Sequence, residues 1–331
     1  MSLKVTIIIP HRINENISNT LEEIYKSDYN QDNIEIFQAE GTHPTVQRNE
    51  CIKLSSGDII YFIDNDSIID INNIRNAIKI FEENKNVAIV GGPAIHIVST
   101  EKERYIDKTM RSYYAVGPIA KRYSISKSHY REGSDKDVIL CNLFIRREVL
   151  LEVGLFNENL YPNEENELID KILSIGYKLM YDPEIVVKRP PRKNLKEYIQ
   201  MLINYGRGRF EQLYINFNFK NLIFTIPAIF SIYILSIPII SILYFLIKNN
   251  IILLYFMPIG IYSILTIFSA ILYSLKENGI KNKIKGIFIY PFMFFITHFF
   301  YGFGFFFAII RIINGFKRET KFKVNKYKSF N

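Results

Sequence analysis

Two carboxylates separated by one residue, Asp64 and Asp66, are the side chains in this sequence with the clearest capacity for chemistry. They directly follow 59–63, a short apolar run of β-branched and aromatic residues that is typical of a strand buried in a parallel sheet. Ligands of open α/β sheets bind beyond the carboxyl ends of the strands. Two acids there can bind a hard divalent cation together with a diphosphate. A plain turn is the competing interpretation, because Asp and Asn favour turns without any ligand.

Apolar runs of strand type alternate with helical patterns over the first half of the chain. These runs lie at 5–10, 33–37, 59–63, 87–90 and 138–142. The alternation predicts an α/β fold, in which helices cover both faces of a mostly parallel sheet. A basic, loop-like stretch at 117–137 interrupts the pattern and contains Arg131. Loops of this length inside a compact domain are more often functional or mobile than idle.

The second half of the chain is dominated by Ile, Leu, Phe and Tyr. Three apolar stretches, near 222–247, 251–275 and 286–313, are each close to or above the roughly 20 residues that a helix needs to cross a bilayer. The net charge is +8, and the basic residues cluster beside these stretches. We therefore expect membrane lipids as a partner and no nucleic acid. Core helices of a soluble domain are the alternative interpretation, which the lengths disfavour.

A mixed basic, aromatic and apolar segment begins near Leu195 and precedes the first apolar stretch. It suits an amphipathic helix in the membrane interface, and a surface helix of the soluble domain is an equally open interpretation. The expected organisation has four parts: a catalytic domain at 1–194, a juxtamembrane helix at 195–220, a transmembrane region at 221–316 and a basic tail at 317–331.

The distribution of Lys and Arg predicts the side on which the catalytic domain lies. Arg207, Arg209 and Lys220 precede the first apolar stretch, whereas only Lys248 follows it. The positive-inside rule then predicts an integral protein of the cell membrane with its catalytic domain in the cytoplasm. Three crossings would place the basic tail on the opposite side, against the same rule. We expect three crossings, and the alternative is that 286–313 dips into the membrane and returns, or lies partly in the interface.

Seven short motifs, in order along the chain, resemble those of membrane-bound glycosyltransferases of family 2, which have the GT-A fold. They are Thr6-Ile7-Ile8-Ile9-Pro10, Gln47-Arg48-Asn49, Asp64-Asn65-Asp66, Arg146-Arg147-Glu148 through Gly154-Leu155-Phe156, Glu164-Glu165-Asn166-Glu167-Leu168, Gln200 with Tyr205-Gly206-Arg207, and His298 through Gly304. The last motif is similar to one of the polysaccharide, or succinoglycan-type, subgroup. The resemblance therefore implies a GT-A catalytic domain followed by an all-α transmembrane region.

The resemblance also implies where substrates bind. A nucleotide diphosphate sugar would lie across the strand ends, with Mg²⁺ or Mn²⁺ held by Asp66 and with Asp64 on the ribose or sharing the metal. Other donor contacts are expected from Pro10, Arg12, Glu40, Arg48 and Arg207. Candidates on the acceptor or lipid side are Arg131, Gln200 and Tyr205. A lipid contact by Arg207 and a structural role for Arg48 stay open, and Glu40 stands where the family usually has Asp.

Glu165 is the candidate catalytic base implied by the resemblance, at a position where the family usually has Asp. Glu164 and Glu167 share its place in the first turn of a predicted helix, where acids also occur for capping and dipole reasons. If Glu165 is the base, substitution of Glu164 or Glu167 should be far milder than substitution of Glu165.

The expected function is inverting, metal-dependent transfer of a sugar from a nucleotide diphosphate sugar to a lipid-linked saccharide acceptor at the membrane surface. A polyprenyl-phosphate glycosyltransferase that makes a lipid-phospho-sugar is the nearest alternative, and its anionic acceptor would need no strong base. A non-catalytic membrane subunit that binds nucleotide sugar is the alternative of another class. The presence of Asp64, Asp66 and an acid at position 165 argues against it, because a subunit without activity has no physical need for them.

Overall fold

The computed structural model describes residues 2–126, 130–217, 219–316 and 322–327. These residues form two compact units. The first contains described residues of 1–97, 118–191 and 316–331, and the second contains 98–117 and 192–315. Lys127 of the predicted basic loop lies outside the described residues, as do Lys317, Arg318, Lys321 and Lys328 of the tail.

The strands, in chain order, are β1 (Val5–His11), β2 (Ile34–Gly41), β3 (Ile59–Phe62), β4 (Ile68–Ile69), β5 (Val87–Gly91), β6 (Ala94–His96), β7 (Arg131–Glu132), β8 (Leu143–Arg146), β9 (Lys178–Tyr181), β10 (Val187–Arg189) and β11 (Phe322–Tyr327). The α-helices are α1 (Ser18–Tyr25), α2 (Pro44–Leu54), α3 (Asn73–Glu83), α4 (Glu101–Met110), α5 (Tyr113–Val116), α6 (Arg147–Glu152), α7 (Glu164–Ser174), α8 (Leu195–Ile215), α9 (Ile226–Ile247), α10 (Met257–Leu275) and α11 (Ile280–Ile313).

The first unit is built on an eight-stranded sheet with the strand order β11-β2-β1-β3-β8-β5-β9-β7. β1 pairs in parallel with both β2 and β3, and β5 pairs in parallel with β9. Among the described strands of this sheet, five run in one direction and three, β7, β8 and β11, run in the other. The predicted fold class, a mostly parallel α/β sheet, is therefore confirmed.

Both faces of this sheet are covered because side chains of a strand alternate between the two faces. Ile8 of β1 packs with α2, α6 and α7 on one face. Its neighbours Ile7 and Ile9 pack with α1 and α3 on the other face. All seven residues of β1 are buried, which explains why its sequence is almost continuously apolar.

One predicted strand is misplaced in the sequence interpretation. Residues 140–142 form a 3₁₀ turn, and the strand follows at Leu143–Arg146, antiparallel to β3 and β5. The side chain of Asn142 explains the difference. Its Nδ2 donates to the carbonyl oxygens of Pro93 and Ile185, and its Oδ1 accepts from Tyr61 Oη. These bonds fix the turn just before the apolar run that enters the sheet.

A second, three-stranded sheet in the first unit has the order β4-β10-β6. β10 pairs in parallel with β6 and antiparallel with β4, which follows the Asp64-Asn65-Asp66 turn. This small sheet therefore brings the end of β10, at Arg189, towards the acids after β3.

The second unit consists of α4, α5 and α8–α11 with intervening 3₁₀ turns. Among the described residues, three segments are long and apolar enough to cross a membrane: Asn221–Ile247, Asn250–Leu275 and Ile280–Ile313. They coincide closely with the three apolar stretches of the sequence, although α11 begins six residues earlier than expected. Helix α8 lies within the segment 195–220, where a juxtamembrane helix was expected, and its place at the membrane stays a prediction.

Candidate active site

The carboxyl ends of β1, β2 and β3 meet at one edge of the main sheet. His11 at the end of β1 is in register with Glu40 near the end of β2, and Ile8 of β1 is in register with Phe62 at the end of β3. Asp64 follows Phe62 by two residues. The parallel pairing thus places Pro10, Glu40 and the acid pair at the edge where ligands of α/β sheets bind.

The acid pair is neutralised by Arg189 at the end of β10. Its Nη1 donates to Asp64 Oδ2 at 2.9 Å, and its Nη2 lies 3.5 Å from both carboxylate oxygens of Asp66. The side chains of Asp64 and Asp66 are 28% and 37% exposed, so a ligand from solvent can reach them. Arg189 is thus a cation already placed at a site suited to binding a diphosphate.

A second arginine, Arg48 of α2, links the acid pair to the start of α7. Arg48 is buried, with Nη1 2.8 Å from Glu164 Oε1 and Nη2 3.6 Å from Asp64 Oδ1. Burial raises the pKa of Glu164 to about 7, and the charges of Glu165 and Asp64 add to that rise, although Arg48 opposes it. Arg48 and Glu164 therefore form part of the framework of the site.

Glu165 lies beside Glu164 with a different set of partners. Its Oε1 is 3.6 Å from Nη1 of Arg122 and accepts a 3.1 Å hydrogen bond from Asn166 Nδ2. Arg122 also donates to Asn166 Oδ1 at 2.6 Å. These contacts fix the first turn of α7. Asn163, which precedes it, has a φ of 83°, in the left-handed region that is uncommon for residues other than glycine.

The first-turn acids of α7 are not interchangeable. Glu164, Glu165 and Glu167 are all buried, and each contacts a different cation: Arg48, Arg122 and Lys171. Acids that served only to stabilise the helix dipole would not each need a separate cationic partner. Of the three cations, Arg48 also contacts Asp64, so Glu164 is tied to the acid pair more directly than Glu165 is.

The loop after β1 contains one expected donor residue, Arg12, and contacts another, Glu40 of β2. Glu40 Oε1 accepts from the backbone N–H of Asn14 at 2.8 Å. Glu15 accepts from the backbone N–H of Arg12 at 2.9 Å and from Asn65 Nδ2 at 3.0 Å, so the loop is tied to the residue between the two acids. The side chain of Arg12 is exposed and Pro10 is buried.

Other predicted residues are not brought into this cluster by any described contact. Arg131 on β7 pairs with Asp137 at 2.6 Å and stacks over the Tyr181 ring at 4.9 Å. Gln200, Tyr205 and Arg207 belong to α8 in the second unit. Gln200 donates to Asn204 Oδ1 at 3.3 Å, and Arg207 Nε lies 3.5 Å from Glu211 Oε1. Their expected roles stay predictions.

Arg189 and Arg122 were missed by the sequence interpretation. Arg122 lies in the basic loop-like stretch, where its neighbours gave it no distinguishing pattern. Arg189 had a usable signal: it follows Val186-Val187-Lys188 and precedes Pro190-Pro191, so it stands where a strand ends. A basic residue at a strand end is a candidate phosphate ligand in an α/β fold.

The acid pair fits a hard divalent cation only together with oxygen ligands from another molecule. Among the residues that the structure describes, no group of three or more His, Cys, Asp or Glu side chains could hold a metal by itself. Mg²⁺ is commonly bound through one or two carboxylates plus substrate phosphates and waters. Two solvent-accessible carboxylates beside a diphosphate site meet that requirement.

The fold, with the acid pair at its strand ends, is that of a GT-A domain. Residues 14–154 match the sequence profile described as Glycosyl transferase family 2. Residues 14–154 are therefore similar to family 2 glycosyltransferases. The finer assignment to the polysaccharide subgroup is not part of this match.

A curated relative from Methanococcus voltae is described as dolichyl N-acetyl-alpha-D-glucosaminyl phosphate 3-beta-D-2,3-diacetamido-2,3-dideoxy-beta-D-glucuronosyltransferase. It is 23% identical over 211 residues, which are 62% of this chain and 63% of the relative. The chain thus matches less than two thirds of that relative's length.

Solved structures of similar shape include mannosyltransferase PcManGT from Pyrobaculum calidifontis in complex with GDP-Man and Mn²⁺. The TM-score is 0.53 at 15% identity, with 95% of this chain and 88% of that chain covered. S. aureus TarS matches with a TM-score of 0.44 at 12% identity, over 61% of this chain and 38% of that chain. The PcManGT likeness supports the GT-A fold.

Proposed function

We propose that the protein is an inverting, metal-dependent glycosyltransferase that moves a sugar from a nucleotide diphosphate sugar to a lipid-linked saccharide at the cytoplasmic face of the cell membrane. The observation that carries this proposal is that Arg48 and Glu164 join Asp64 to the first turn of α7. Asp64 shares Arg189 with Asp66. Metal-ligand and base candidates thus occur in one connected site.

Donor binding is the first task of this site. Asp66 would bind Mg²⁺ or Mn²⁺, and Asp64 would contact the ribose or share the metal. When bound, the cation would neutralise charge that develops on the departing diphosphate. Arg189 supplies a second positive charge at the same acids, with a planar fork suited to phosphate oxygens. The PcManGT structure, which contains GDP-Man and Mn²⁺, supports this donor chemistry.

Glu165 would serve as the base in the transfer step. The acceptor hydroxyl oxygen forms a bond to the anomeric carbon, and the bond from that carbon to the diphosphate oxygen breaks. The hydroxyl proton passes to the Glu165 carboxylate, and the bonding electrons leave with the nucleoside diphosphate. Attack opposite the leaving group inverts the anomeric centre. Arg122 Nη1, 3.6 Å from Glu165 Oε1, would help to hold the carboxylate in position.

A lipid-linked saccharide is the acceptor class best supported. The name of the Methanococcus voltae relative describes transfer onto a dolichyl phosphate-linked sugar. Three helices long and apolar enough to cross a membrane support a membrane location, where such acceptors occur. The same reasoning supports assignment to the polysaccharide-type subgroup, in which sugars are added to a growing lipid-linked chain.

The test is a binding and hydrolysis screen of nucleotide sugars on the full chain in detergent, with Mn²⁺, with Mg²⁺ and with EDTA. We expect one nucleotide sugar to raise the melting temperature more when a divalent cation is present than in EDTA. Release of the nucleoside diphosphate should increase when a lipid-linked saccharide is added. Release stimulated by polyprenyl monophosphate alone would instead show that the lipid phosphate is the acceptor. Binding without release under any condition would identify a non-catalytic subunit.

A further inference from the structure

We propose that the chain crosses the membrane twice, through α9 and α10, and that α11 lies in the bilayer interface on the side of the catalytic unit. Membrane lipid then covers the exposed apolar face of α11. This inference is independent of the proposed activity, because it rests on chain connections and contacts alone.

The first step concerns the tail. Residues 322–327 form β11, which pairs antiparallel with β2 through six residue pairs, from Phe322 with Gly41 to Tyr327 with Ile36. The side chain of Lys326 forms an ion pair with Glu35. A strand that is hydrogen-bonded into the catalytic sheet lies on the same side of the membrane as that sheet. We therefore infer that the chain between 191 and 322 crosses an even number of times, in place of the tail on the opposite side that three crossings would give.

The second step identifies the helix that does not cross. Near its start, α11 places Lys285 Nζ 2.9 Å from Glu101 Oε1 of α4. In its last turn, Arg311 Nη1 lies 2.7 Å from both carboxylate oxygens of Glu211 of α8. Both α4 and α8 precede the first apolar stretch in the chain, and neither is long and apolar enough to cross a membrane. The two ends of α11 are thus held by segments on the catalytic side.

The third step concerns depth. Tyr198 Oη of α8 is 2.7 Å from Thr297 Oγ1 of α11. Further along, a Cβ on Gly206 would lie 1.7 Å from the carbonyl oxygen of Tyr301, so the two backbones are in close contact. The helices therefore run side by side in the same direction. Charged residues occur in the first turn of α8, at Lys196 and Glu197, and in its second half, at Arg207, Arg209 and Glu211. They favour the interface over the hydrocarbon core, and α11 shares the level of α8.

Burial separates α11 from the other two apolar helices. Of the most apolar part of α11, 39% is buried inside the protein, against 6% for the corresponding part of the segments that contain α9 and α10. α9 and α10, with 22 and 19 residues, are about 33 Å and 28 Å long, close to the roughly 30 Å hydrocarbon thickness. A hairpin of these two helices is thus sufficient to anchor the chain.

Charge supports the same arrangement. Two crossings return the tail to the catalytic side, so its basic residues no longer oppose the positive-inside rule. In the sequence they are Lys317, Arg318, Lys321, Lys323, Lys326 and Lys328. Basic residues next to an interfacial helix favour contact with anionic lipids.

Labelling of single introduced cysteines in the full chain tests the crossing number. Native Cys51 and Cys141 are buried, and burial raises the pKa of each thiol to about 12, so their background reaction is small. The exposed reporter sites are Lys85→Cys in the catalytic unit, Asn249→Cys between α9 and α10, and Asn314→Cys after α11. A membrane-impermeant maleimide is applied to sealed vesicles of known orientation.

We expect Asn314→Cys to react from the same side as Lys85→Cys, and Asn249→Cys to react from the opposite side. Reaction of Asn314→Cys together with Asn249→Cys would overturn the proposal. Lys323→Cys, exposed on β11, repeats the comparison at a second tail position and decides the outcome if Asn314→Cys is shielded by lipid.

A depth measurement tests the interfacial position of α11. Phe292→Cys and Ile239→Cys place a fluorescent label on exposed apolar positions near the middle of α11 and α9, respectively. Lipids that carry a nitroxide at a shallow or a deep position quench the label according to its depth. We expect shallow quenching for Phe292→Cys and deep quenching for Ile239→Cys. Equally deep quenching at both sites would show that α11 enters the hydrocarbon core and would overturn this part of the proposal.

Discussion

Arg189 Nη1 lies 2.9 Å from Asp64 Oδ2, although the two residues are 125 positions apart in the chain. The same guanidinium lies 3.5 Å from Asp66. One arginine therefore holds together the two acids proposed to bind a metal and the donor. Its charge must compete with a cation at the carboxylates, but it favours a diphosphate at the same place.

The first prediction follows from this double role. Arg189→Met should weaken binding of a nucleoside diphosphate in EDTA by about 10-fold or more, because a charge-assisted pair contributes roughly 1.5–3 kcal/mol. The same variant should bind Mn²⁺ more tightly in the absence of nucleotide, since the competing charge is gone. Titration calorimetry measures both affinities.

Arg192→Met is the matched control, because Arg192 is exposed and lies three residues away. It should leave both affinities near wild type. If Arg189→Met changes neither the affinity for nucleotide nor the affinity for Mn²⁺, then Arg189 serves only to hold the acid pair in place.

The second prediction concerns Asp66. Its side chain is 37% exposed, so Asp66→Asn should fold normally. A neutral amide is a poorer ligand for a hard cation than a carboxylate, and Mn²⁺-dependent nucleotide binding should therefore be lost. Asp70→Asn, at an exposed acid four residues further on, should retain it. Unchanged Mn²⁺-dependent affinity in Asp66→Asn, measured by calorimetry, would remove Asp66 from the metal site.

Sequence patterns predicted those features of the site that are local in the chain. A buried apolar run that stops at Asp64 and Asp66 is a short-range signal, and the parallel pairing that exposes the acids at a sheet edge follows from the strand pattern. Arg48, too, lies in a short recognisable motif. These features depend on neighbouring residues, and the structure places them where the pattern predicts.

Long-range contacts were beyond the same reasoning. The partners Arg48 and Glu164 are 116 residues apart, and their pairing results from the packing of α2 and α7 on one face of the sheet. β11 was interpreted as part of a basic tail because six Lys and Arg residues occur within 317–331. Its pairing with β2 uses backbone groups, which every residue has, so it leaves little trace in side-chain composition.

The third prediction separates the acids of α7. Glu165→Gln should preserve the fold and donor binding while lowering turnover by about 10² or more, because the amide cannot accept the acceptor proton. Glu164→Gln was expected from sequence to be far milder, but its burial against Arg48 changes that expectation. Glu164 is protonated below about pH 7, so an amide of the same size removes no charge there, and this variant should change the melting temperature relative to wild type mainly above that pH.

Glu167→Gln is the control within the same helical turn, since Glu167 pairs with Lys171 and not with the arginines of the site. Turnover is compared at saturating donor and acceptor, after each variant is checked for donor binding. Near-normal turnover of Glu165→Gln would rule out Glu165 as the base and would favour an acceptor phosphate that needs none.

The last prediction uses the pKa of Glu164, which burial raises to about 7 from a value near 4.3 in an unfolded chain. Between these two values the folded protein binds a proton that the unfolded chain releases, so the free energy of unfolding falls as the pH rises. The slope for one such proton is at most about 1.4 kcal/mol per pH unit. The contribution of Glu164 is complete below about pH 4.3 and is lost as the pH rises through about 7.

Glu164→Gln removes this titration. We therefore expect the melting temperature of wild type, relative to Glu164→Gln, to fall progressively from pH 5 to pH 7.5 in calorimetric scans. The exposed Glu148→Gln should follow wild type across that range. A difference between wild type and Glu164→Gln that stays constant with pH would mean that Glu164 is ionised throughout, with Arg48 outweighing the effect of burial.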